Sequence, residues 1–401
     1  MADESLSSFA DLLLEMKGPL AINFPKNHVL LDELRRDTNP THYSGSQVRV
    51  PVVLNPQQGG HGVSETGTIN SPVVENTTQA HITMARNAFP VSFTPDLMYA
   101  SRDNATAFAE ASRFKMSQAE LALARMENEQ IQGPGKGLLV TCTGTGSTSI
   151  ITLTTTGYSQ YQFYTNRIVD ILNTSTGTAE TSGSSRSVVS TSATDSTITL
   201  DAAVTFTASD GVYTHGSYGQ GLQSIQQIYA TSGTFENISK TTVVGWQGTD
   251  GRGGDTTSAD LSITLLDGAE RRVKMLSGEG PDFYVGDPAV IDKYGQTLLT
   301  QSRWSGDKAQ LATGWEGIQY RSKVLIPDFD HKAATVTGIN KASLQMYAYN
   351  AGPEWDDLDG SIFKRISNRT LPVEAWLVDY TQLGAIRCNT CVFITNLNQA
   401  S

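Results

Sequence analysis

The sequence predicts an α+β fold, because three stretches with different residue patterns follow one another along the chain. In residues 47–93, apolar and polar side chains alternate in two runs, as they do in the strands of a β-ribbon. Residues 103–132 are rich in Ala, Glu, Arg, Met and Leu, which favour a helix. From residue 219 onward, helix-like and strand-like stretches alternate, as they do in α/β domains.

Composition limits the classes of protein to which the chain can belong. Its 401 residues, 38% of them hydrophobic, suffice for two packed units with extensions. A formal net charge of -11 argues against a nucleic-acid-binding surface, which would carry clustered Lys and Arg. The sequence lacks an apolar run of the roughly 18 residues that a membrane span needs. The acidic residues 1–17 lack the basic region of a signal peptide.

Residues 1–46 are predicted to form an N-terminal arm. Ser8 is a candidate N-cap for one short amphipathic helix, which would stop at Gly18 and Pro19. The remainder of the arm, with Pro25 and Pro40, is predicted to be irregular apart from one helical turn around residues 30–36.

The ribbon of residues 47–93 carries one apolar face. An isolated two-stranded ribbon is marginally stable in water, so this face needs another surface beneath it. A neighbouring subunit could provide that surface, or the ribbon could fold onto its own domain, and the pattern leaves both interpretations open. The side chains that we predict to contact an adjacent subunit are Val48, Val50, Val52, Leu54, Ile82 and Met84.

The return strand of the ribbon changes its apolar phase. Ile82 and Met84 occupy even positions, whereas Phe89 occupies an odd one. The change predicts a bulge or bend near Arg86 and Asn87.

A long helix is predicted from Asp103 as N-cap to Gln132, with Gly133, Pro134 and Gly135 as a strong stop signal. At about 1.5 Å per residue it would be roughly 45 Å long. Its apolar stripe is narrow, and Arg125 and Glu127 are predicted to face away from it, so the helix should pack on one side only. The residues of the packing stripe that we single out are Phe108, Phe114, Leu121 and Met126.

Residues 138–215 are dense in Ser, Thr and Gly and contain short β-branched runs. Such low complexity is also typical of disorder, but the recurrent Ile, Val and Leu favour a small all-β insertion. Further on, a helix is predicted over residues 258–276 and a strand over 282–285, followed by a helix capped by Asp287. Strands are predicted near the C-terminus at 361–366, 373–380 and 386–396.

Motifs for chemistry are not found. The run from Gly133 to Gly137 lacks the Ser or Thr that follows the lysine of a phosphate loop. Cys388 and Cys391 form a lone C-x-x-C in a predicted strand, where we interpret them as structural rather than as zinc ligands. The six histidines have no recurring acidic partner. We therefore predict no catalytic, cofactor-binding or metal-binding residues, and no enzymatic activity.

The order of these parts resembles the major capsid proteins of tailed bacteriophages, which have the Hong Kong 97 fold. The resemblance covers essentially the whole chain. It rests on the order of the parts and on their residue patterns, because no short motif defines the family. It implies an N-arm, an extended β-ribbon loop, a peripheral domain with a long spine helix, an α/β axial domain and an all-β insertion. The implied boundaries are 1–46 for the N-arm, 47–93 for the extended loop, 94–137 and 351–385 for the peripheral domain, 138–215 for the insertion, and 216–350 and 386–401 for the axial domain.

The resemblance also implies a function and partners. Copies of the chain would form hexamers and pentamers of an icosahedral shell around double-stranded DNA, without sequence-specific DNA binding or a membrane. The shell would be assembled in the bacterial cytoplasm and would become part of the virion. Because residues 47–93 contain no lysine, the isopeptide cross-link of some members is not expected. The short N-terminal arm leaves no room for a fused scaffold, so a separate scaffolding protein is expected, with a portal and decoration proteins.

Three alternatives stay open at this point. An encapsulin-like nanocompartment shares the fold, although those shells usually lack a large β insertion. The Ser/Thr/Gly-rich middle of the chain is also compatible with a β-rich surface adhesin or carbohydrate-binding protein, but a secretion signal is missing. An α/β enzyme would need a pocket with convergent titrating groups.

Overall fold

The computed structural model describes residues 28–34, 36–38, 43–44, 47–55, 60–69, 71, 74–93, 105–154, 162–192, 196–300, 308–310, 316–350, 352–357, 360–365 and 373–399. The helix predicted at the N-terminus and the predicted cap Asp103 lie outside these residues. The helices that it describes are α1 (Val29–Glu33), α2 (Ala105–Gln132), α3 (Ile225–Tyr229), α4 (Ile263–Ser277) and α5 (Pro288–Thr300). Short 3-10 turns occur at Val244–Trp246 and Cys388–Thr390.

The strands fall into several sheets, and their bounds in chain order are β1 (Arg36–Asp37), β2 (Tyr43–Ser44), β3 (Gln47–Asn55), β4 (Asn76–Thr83), β5 (Ala85–Phe93), β6 (Leu138–Thr141), β7 (Gly146–Thr152), β8 (Ile168–Leu172), β9 (Arg186–Ser192), β10 (Thr197–Phe206), β11 (Gly211–Thr214), β12 (Thr234–Phe235), β13 (Ile238–Ser239), β14 (Thr249–Asp250), β15 (Phe283–Gly286), β16 (Lys308–Gln310), β17 (Glu316–Tyr320), β18 (Lys323–Pro327), β19 (Val336–Ile339), β20 (Leu344–Ala348), β21 (Glu354–Trp355), β22 (Lys364–Arg365), β23 (Val373–Ala385) and β24 (Val392–Ile394).

The 13-residue strand β23 organises one sheet, which we call the peripheral sheet. Strand β5 pairs with it antiparallel over nine residues, and β20, β21 and β22 also pair with it antiparallel. Arg86 and Asn87 lie opposite Tyr380 and Asp379 in unbroken register, so the predicted bulge at these two residues is wrong. The apolar phase changes instead at Met84, where β4 ends and β5 begins, because the chain leaves one sheet and enters another.

The β-ribbon therefore consists of β3 and β4, with β2 as a short third strand. Val48 lies opposite Ile82, and Val50 lies opposite Ala80, so these apolar side chains share one face. Strand β5, which was predicted to belong to the extended loop, is part of the peripheral sheet.

Helix α2, which we call the spine helix, ends at Gln132 as predicted. At about 1.5 Å per residue its 28 residues span roughly 42 Å. Its middle packs on the peripheral sheet, where Ala119 and Leu123 join Val91, Phe93 and Leu377 in one buried cluster. The prediction that the helix packs on one side only is wrong for its last two turns. Their polar side chains are buried because loops from other parts of the chain cover them, and these are Arg125, Glu127, Asn128, Glu129, Gln130 and Gln132.

Residues 138–214 form a six-stranded antiparallel sheet with its own buried core, which confirms that the Ser/Thr-rich stretch is folded. The strand order is β6, β11, β8, β9, β10, β7. Between β7 and β6, the Thr143 N–H donates to the Thr152 carbonyl at 2.8 Å, and the Thr154 N–H donates to the Thr141 carbonyl at 2.9 Å. These bonds join the first strand to the last, so the sheet closes into a barrel.

A seven-stranded mixed sheet, the axial sheet, runs β14, β24, β19, β15, β18, β17, β16. Helix α4 begins with the Ser262 side chain as N-cap and ends at Gly278, which has a left-handed conformation. Asp287 accepts a hydrogen bond from the Ala289 N–H at the start of α5, as predicted. The strand predicted over 386–396 is shorter, because Cys388–Thr390 form a 3-10 turn and only Val392–Ile394 join the sheet.

Candidate functional site: assembly surfaces and a buried polar junction

The base of the β-ribbon rests on its own chain. Val48 and Ile82 are fully buried and pack with Tyr347 of the peripheral sheet. Val50 and Val52 are partly buried against a larger cluster of buried apolar side chains, which includes Met346 and Leu383 and which we call the main core. The prediction that Val48 and Ile82 contact an adjacent subunit is therefore wrong, because no surface of either side chain is left for a neighbour. The alternative, a ribbon folded onto its own domain, holds for this base.

Several large apolar side chains farther along the ribbon are exposed. Val53 on β3 is 64% exposed, and Val63 is 46% exposed. Ile69 and Val74, which lie before β4, are 78% and 79% exposed. Leu54 and Met84 are half-buried, so the contact predicted for them with a neighbour stays a prediction. We call Val53, Val63, Ile69 and Val74 the distal ribbon patch. The alternation pattern missed it, because Val53 occupies the odd face and the other three residues lie between the two strands, outside the alternating runs.

The residues singled out on the spine helix are only partly placed. Met126 packs against the cluster between the helix and the peripheral sheet, and Leu121 is half-buried. The side chains of Phe108 and Phe114 lie outside the described part of the structure. Leu123, which the sequence analysis did not single out, is fully buried in that cluster.

An open groove of about 600 Å³ lies at one edge of the axial sheet, beside β14 and the C-terminal end of α4. Val244, Met275 and Leu276 line it and are 69%, 79% and 66% exposed. The groove is the second surface that could meet another chain.

Buried polar side chains connect the last turns of the spine helix to the other parts of the fold. Arg167 of the barrel donates to Glu129, and Arg125 forms an ion pair with the same carboxylate at 3.2 Å. Asn87 of β5 donates to Glu127 at 3.2 Å, and the Leu222 N–H donates to Gln130 at 2.9 Å. We call this set of contacts the buried junction. Each of its hydrogen bonds replaces a bond to water that the buried group has lost, so the junction fixes the position of these elements relative to the spine helix.

The structure places the residues that were considered as candidate chemical sites in the core and in a turn. Cys388 and Cys391 are buried in the main core, and burial raises the pKa of both thiols, so they are the buried small residues that we predicted. The run from Gly133 to Gly137 is the turn after the spine helix, where the Lys136 N–H donates to the Leu222 carbonyl. Among the described residues, no group of three or more His, Cys, Asp or Glu side chains could hold a metal ion. None of the helices described is both long and apolar enough to cross a membrane.

No protein-family model matches the sequence, and it has no significant match among curated proteins. Solved structures do match. A chain of the cyanophage A-1(L) capsid asymmetric unit has a TM-score of 0.57 and 12% identity, with 95% of this chain and 96% of that chain covered. The holo-SrpI encapsulin complex from Synechococcus elongatus has a TM-score of 0.49 and 10% identity, with 100% and 99% covered. The cyanophage P-SCSP1u capsid has a TM-score of 0.48 and 10% identity, with 96% and 93% covered.

The cyanophage A-1(L) match extends over nearly the full length of both chains. The resemblance predicted from the order of the parts is confirmed at the level of the fold. This chain has the fold of a bacteriophage capsid protein.

Proposed function

We propose that the chain is the major capsid protein of a tailed bacteriophage, and that its copies form the hexamers and pentamers of an icosahedral shell around double-stranded DNA. The protein acts as a structural subunit of the virion and not as an enzyme. The shell assembles in the cytoplasm of the host bacterium with a separate scaffolding protein, a portal and decoration proteins as partners.

The observation that carries this proposal is the distal ribbon patch. Val53 projects from β3, and Val63, Ile69 and Val74 are exposed on the segment between β3 and β4, whereas the base of the ribbon is anchored to its own subunit. A second copy of the chain supplies the missing surface, and closed symmetry multiplies one such contact into a shell. The axial groove of Val244, Met275 and Leu276 supports a further lateral contact, because a shell subunit must touch several neighbours.

The contacts along the ribbon are non-covalent, since residues 47–93 contain no lysine to form an isopeptide bond. The enclosed DNA is not bound through its sequence. With a formal net charge of -11, the chain lacks the excess of Lys and Arg on which non-specific phosphate binding depends.

The test compares two Val→Asp substitutions on exposed strands. Val53→Asp places a charge in the distal ribbon patch, and Val189→Asp places the same charge on the barrel, where the valine is 51% exposed. We expect Val53→Asp to abolish closed shells in negative-stain electron microscopy and to leave a folded, soluble subunit by circular dichroism. Val189→Asp should assemble like the wild type. Normal shells from the Val53→Asp variant would show that the patch is not an intersubunit contact.

The contents of the particles test the rest of the proposal. Shells isolated from infected cells should contain nuclease-resistant double-stranded DNA. Shells that hold only a protein cargo would instead identify a nanocompartment, and monomers at high concentration would contradict any shell function.

A further inference from the structure

Two buried aspartates of the axial domain lie against the end of the spine helix. A single side-chain amide bridges them: Asn128 Nδ2 is 2.9 Å from Asp330 Oδ2 and 3.5 Å from both carboxylate oxygens of Asp328. Gln132 Nε2 donates to Asp328 Oδ2 at 2.9 Å. His331 Nδ1 lies 2.7 Å from Gln132 Oε1, so the next residue of the same loop also contacts the helix. The loop of residues 328–331 and the helix are thus connected almost entirely by polar side chains.

The two carboxylates have no counter-ion in contact. Asp328 and Asp330 are both buried, and neither forms an ion pair within the part of the chain that the structure describes. The arginines whose charges act on Asp330, Arg125 and Arg167, are paired with Glu129. His28, whose charge acts on Asp328, is paired with Asp32. The charged and titratable groups that act on the two carboxyl groups or on His331 between them and the helix are His28 before α1, Arg125 and Glu129 on the spine helix, Arg167 of the barrel, and Lys332 directly after the loop.

Both carboxyl groups have a pKa above the usual value for aspartate. Burial raises the pKa of Asp328 to about 6, although hydrogen bonds from the Asp330 N–H, Asn128 and Gln132 oppose the shift. The pKa of Asp330 is raised by burial and by the negative charges of Glu129 and Asp328. Two carboxylates that share one amide bridge repel each other when both are ionised.

We propose that Asp328 and Asp330 form an acid-strengthened latch between the axial domain and the spine helix. When the pair holds a proton, the loop stays docked on Asn128 and Gln132. When both groups are ionised, their repulsion loosens the loop and frees the end of the helix. The subunit therefore holds its axial domain more firmly at mildly acidic pH than at alkaline pH.

The sign of the pH dependence follows from linkage. A carboxyl group whose pKa is raised in the folded state binds more protons there than in the unfolded chain. Its contribution to stability is therefore lost as pH rises from the unfolded pKa of about 4 through the folded pKa. For Asp328 the contribution is lost between about pH 4 and pH 6. The pKa of Asp330 is also raised, so its contribution is likewise lost as pH rises. His331 acts oppositely: burial lowers its pKa to about 3, so it destabilises the protein below pH 6.5.

The test therefore measures the difference in melting temperature between a variant and the wild type. The contributions of His331 and the other titrating groups are common to both proteins and cancel in this difference. Asp330→Asn removes one charge and keeps an oxygen that can accept from Asn128. We expect Asp330→Asn to melt close to the wild type at pH 5, and at least about 2 °C above it at pH 8. Hydrogen exchange of residues 125–132 should slow at pH 8 in the variant, after correction for intrinsic rates, because the loop stays docked.

Asp260→Asn is the matched control. Asp260 is exposed and pairs with Lys293 at 2.8 Å, so its loss should not raise the melting temperature at pH 8. If Asp330→Asn fails to fold, Asp328→Asn should give the same pH-dependent difference. A difference that stays constant from pH 5 to pH 8, or that favours the wild type at pH 8, overturns the latch.

Discussion

Arg167 Nη2 donates a hydrogen bond to Glu129 Oε2 over 2.7 Å and so ties the barrel to the end of the spine helix. Both side chains are buried, and the guanidinium also lies 5.6 Å from the ring centre of Tyr164. Along the chain the barrel lies between the spine helix and the strands of the axial sheet, and two chain connections alone would not fix its orientation. The buried pair sets its orientation, because a charge moved away from its partner in a dry junction loses several kcal/mol.

Loss of this pair should be costly. Among the described residues, Arg167→Leu leaves the buried Glu129 with Arg125 as its one counter-ion, so we expect the free energy of unfolding in urea to fall by about 3–5 kcal/mol. Arg186→Leu is the control in the same barrel. Arg186 pairs with Asp201 at 3.6 Å near the surface, and its loss should change stability by about 0–1 kcal/mol. Equal losses for the two variants would mean that the junction does not hold the barrel.

A glycine of the long strand β23 should be needed for the base of the ribbon. A Cβ atom on Gly384 would lie 2.5 Å from Ile82 Cδ1 and 2.7 Å from Tyr347 Cε2, both of which are buried. Gly384→Ala should therefore destabilise the protein by about 1–3 kcal/mol through overpacking. Increased proteolysis within residues 47–83 would show that the ribbon base has lifted.

Gly268→Ala provides the opposite expectation. Gly268 lies inside α4, and a Cβ atom there would meet no neighbouring atom. The substitution should stabilise the protein by about 0.5–1 kcal/mol, because alanine loses less backbone entropy in a helix. Equal thermal midpoints for the two alanine variants would contradict the close packing at Gly384.

The sequence could predict the ribbon and the end of the spine helix because their signals are local. Val48 and Val50 follow the strand period of two, and Gly133 and Pro134 follow the last residue of the helix. The buried junction could not be predicted in this way. Glu127 meets Asn87 from 40 residues away, Glu129 meets Arg167 from 38 residues away, and without these partners both glutamates have the pattern of a solvated helix face.

Val53 of the distal ribbon patch was missed for a related reason. Period-two alternation assigns each residue to one of two faces, but it does not tell which face the chain itself covers. In the folded chain, the even face near Val48 is buried, whereas Val53 on the odd face is exposed. Which part of a ribbon is anchored depends on Tyr347, which is almost 300 residues away in sequence.

Glu236 should make the protein less stable as pH rises. Burial raises the pKa of this carboxyl group to about 8, against the hydrogen bond from the Ala385 N–H at 2.7 Å and the charge of Lys240. Since the folded pKa exceeds the unfolded value, stability is lost between about pH 4.5 and pH 8. Glu236→Gln keeps an acceptor for Ala385, so its advantage over the wild type in urea unfolding should grow from pH 5 to pH 9. Glu279→Gln, an exposed glutamate paired with Arg387, should show no such growth, and the same slope in both variants would refute a buried neutral Glu236.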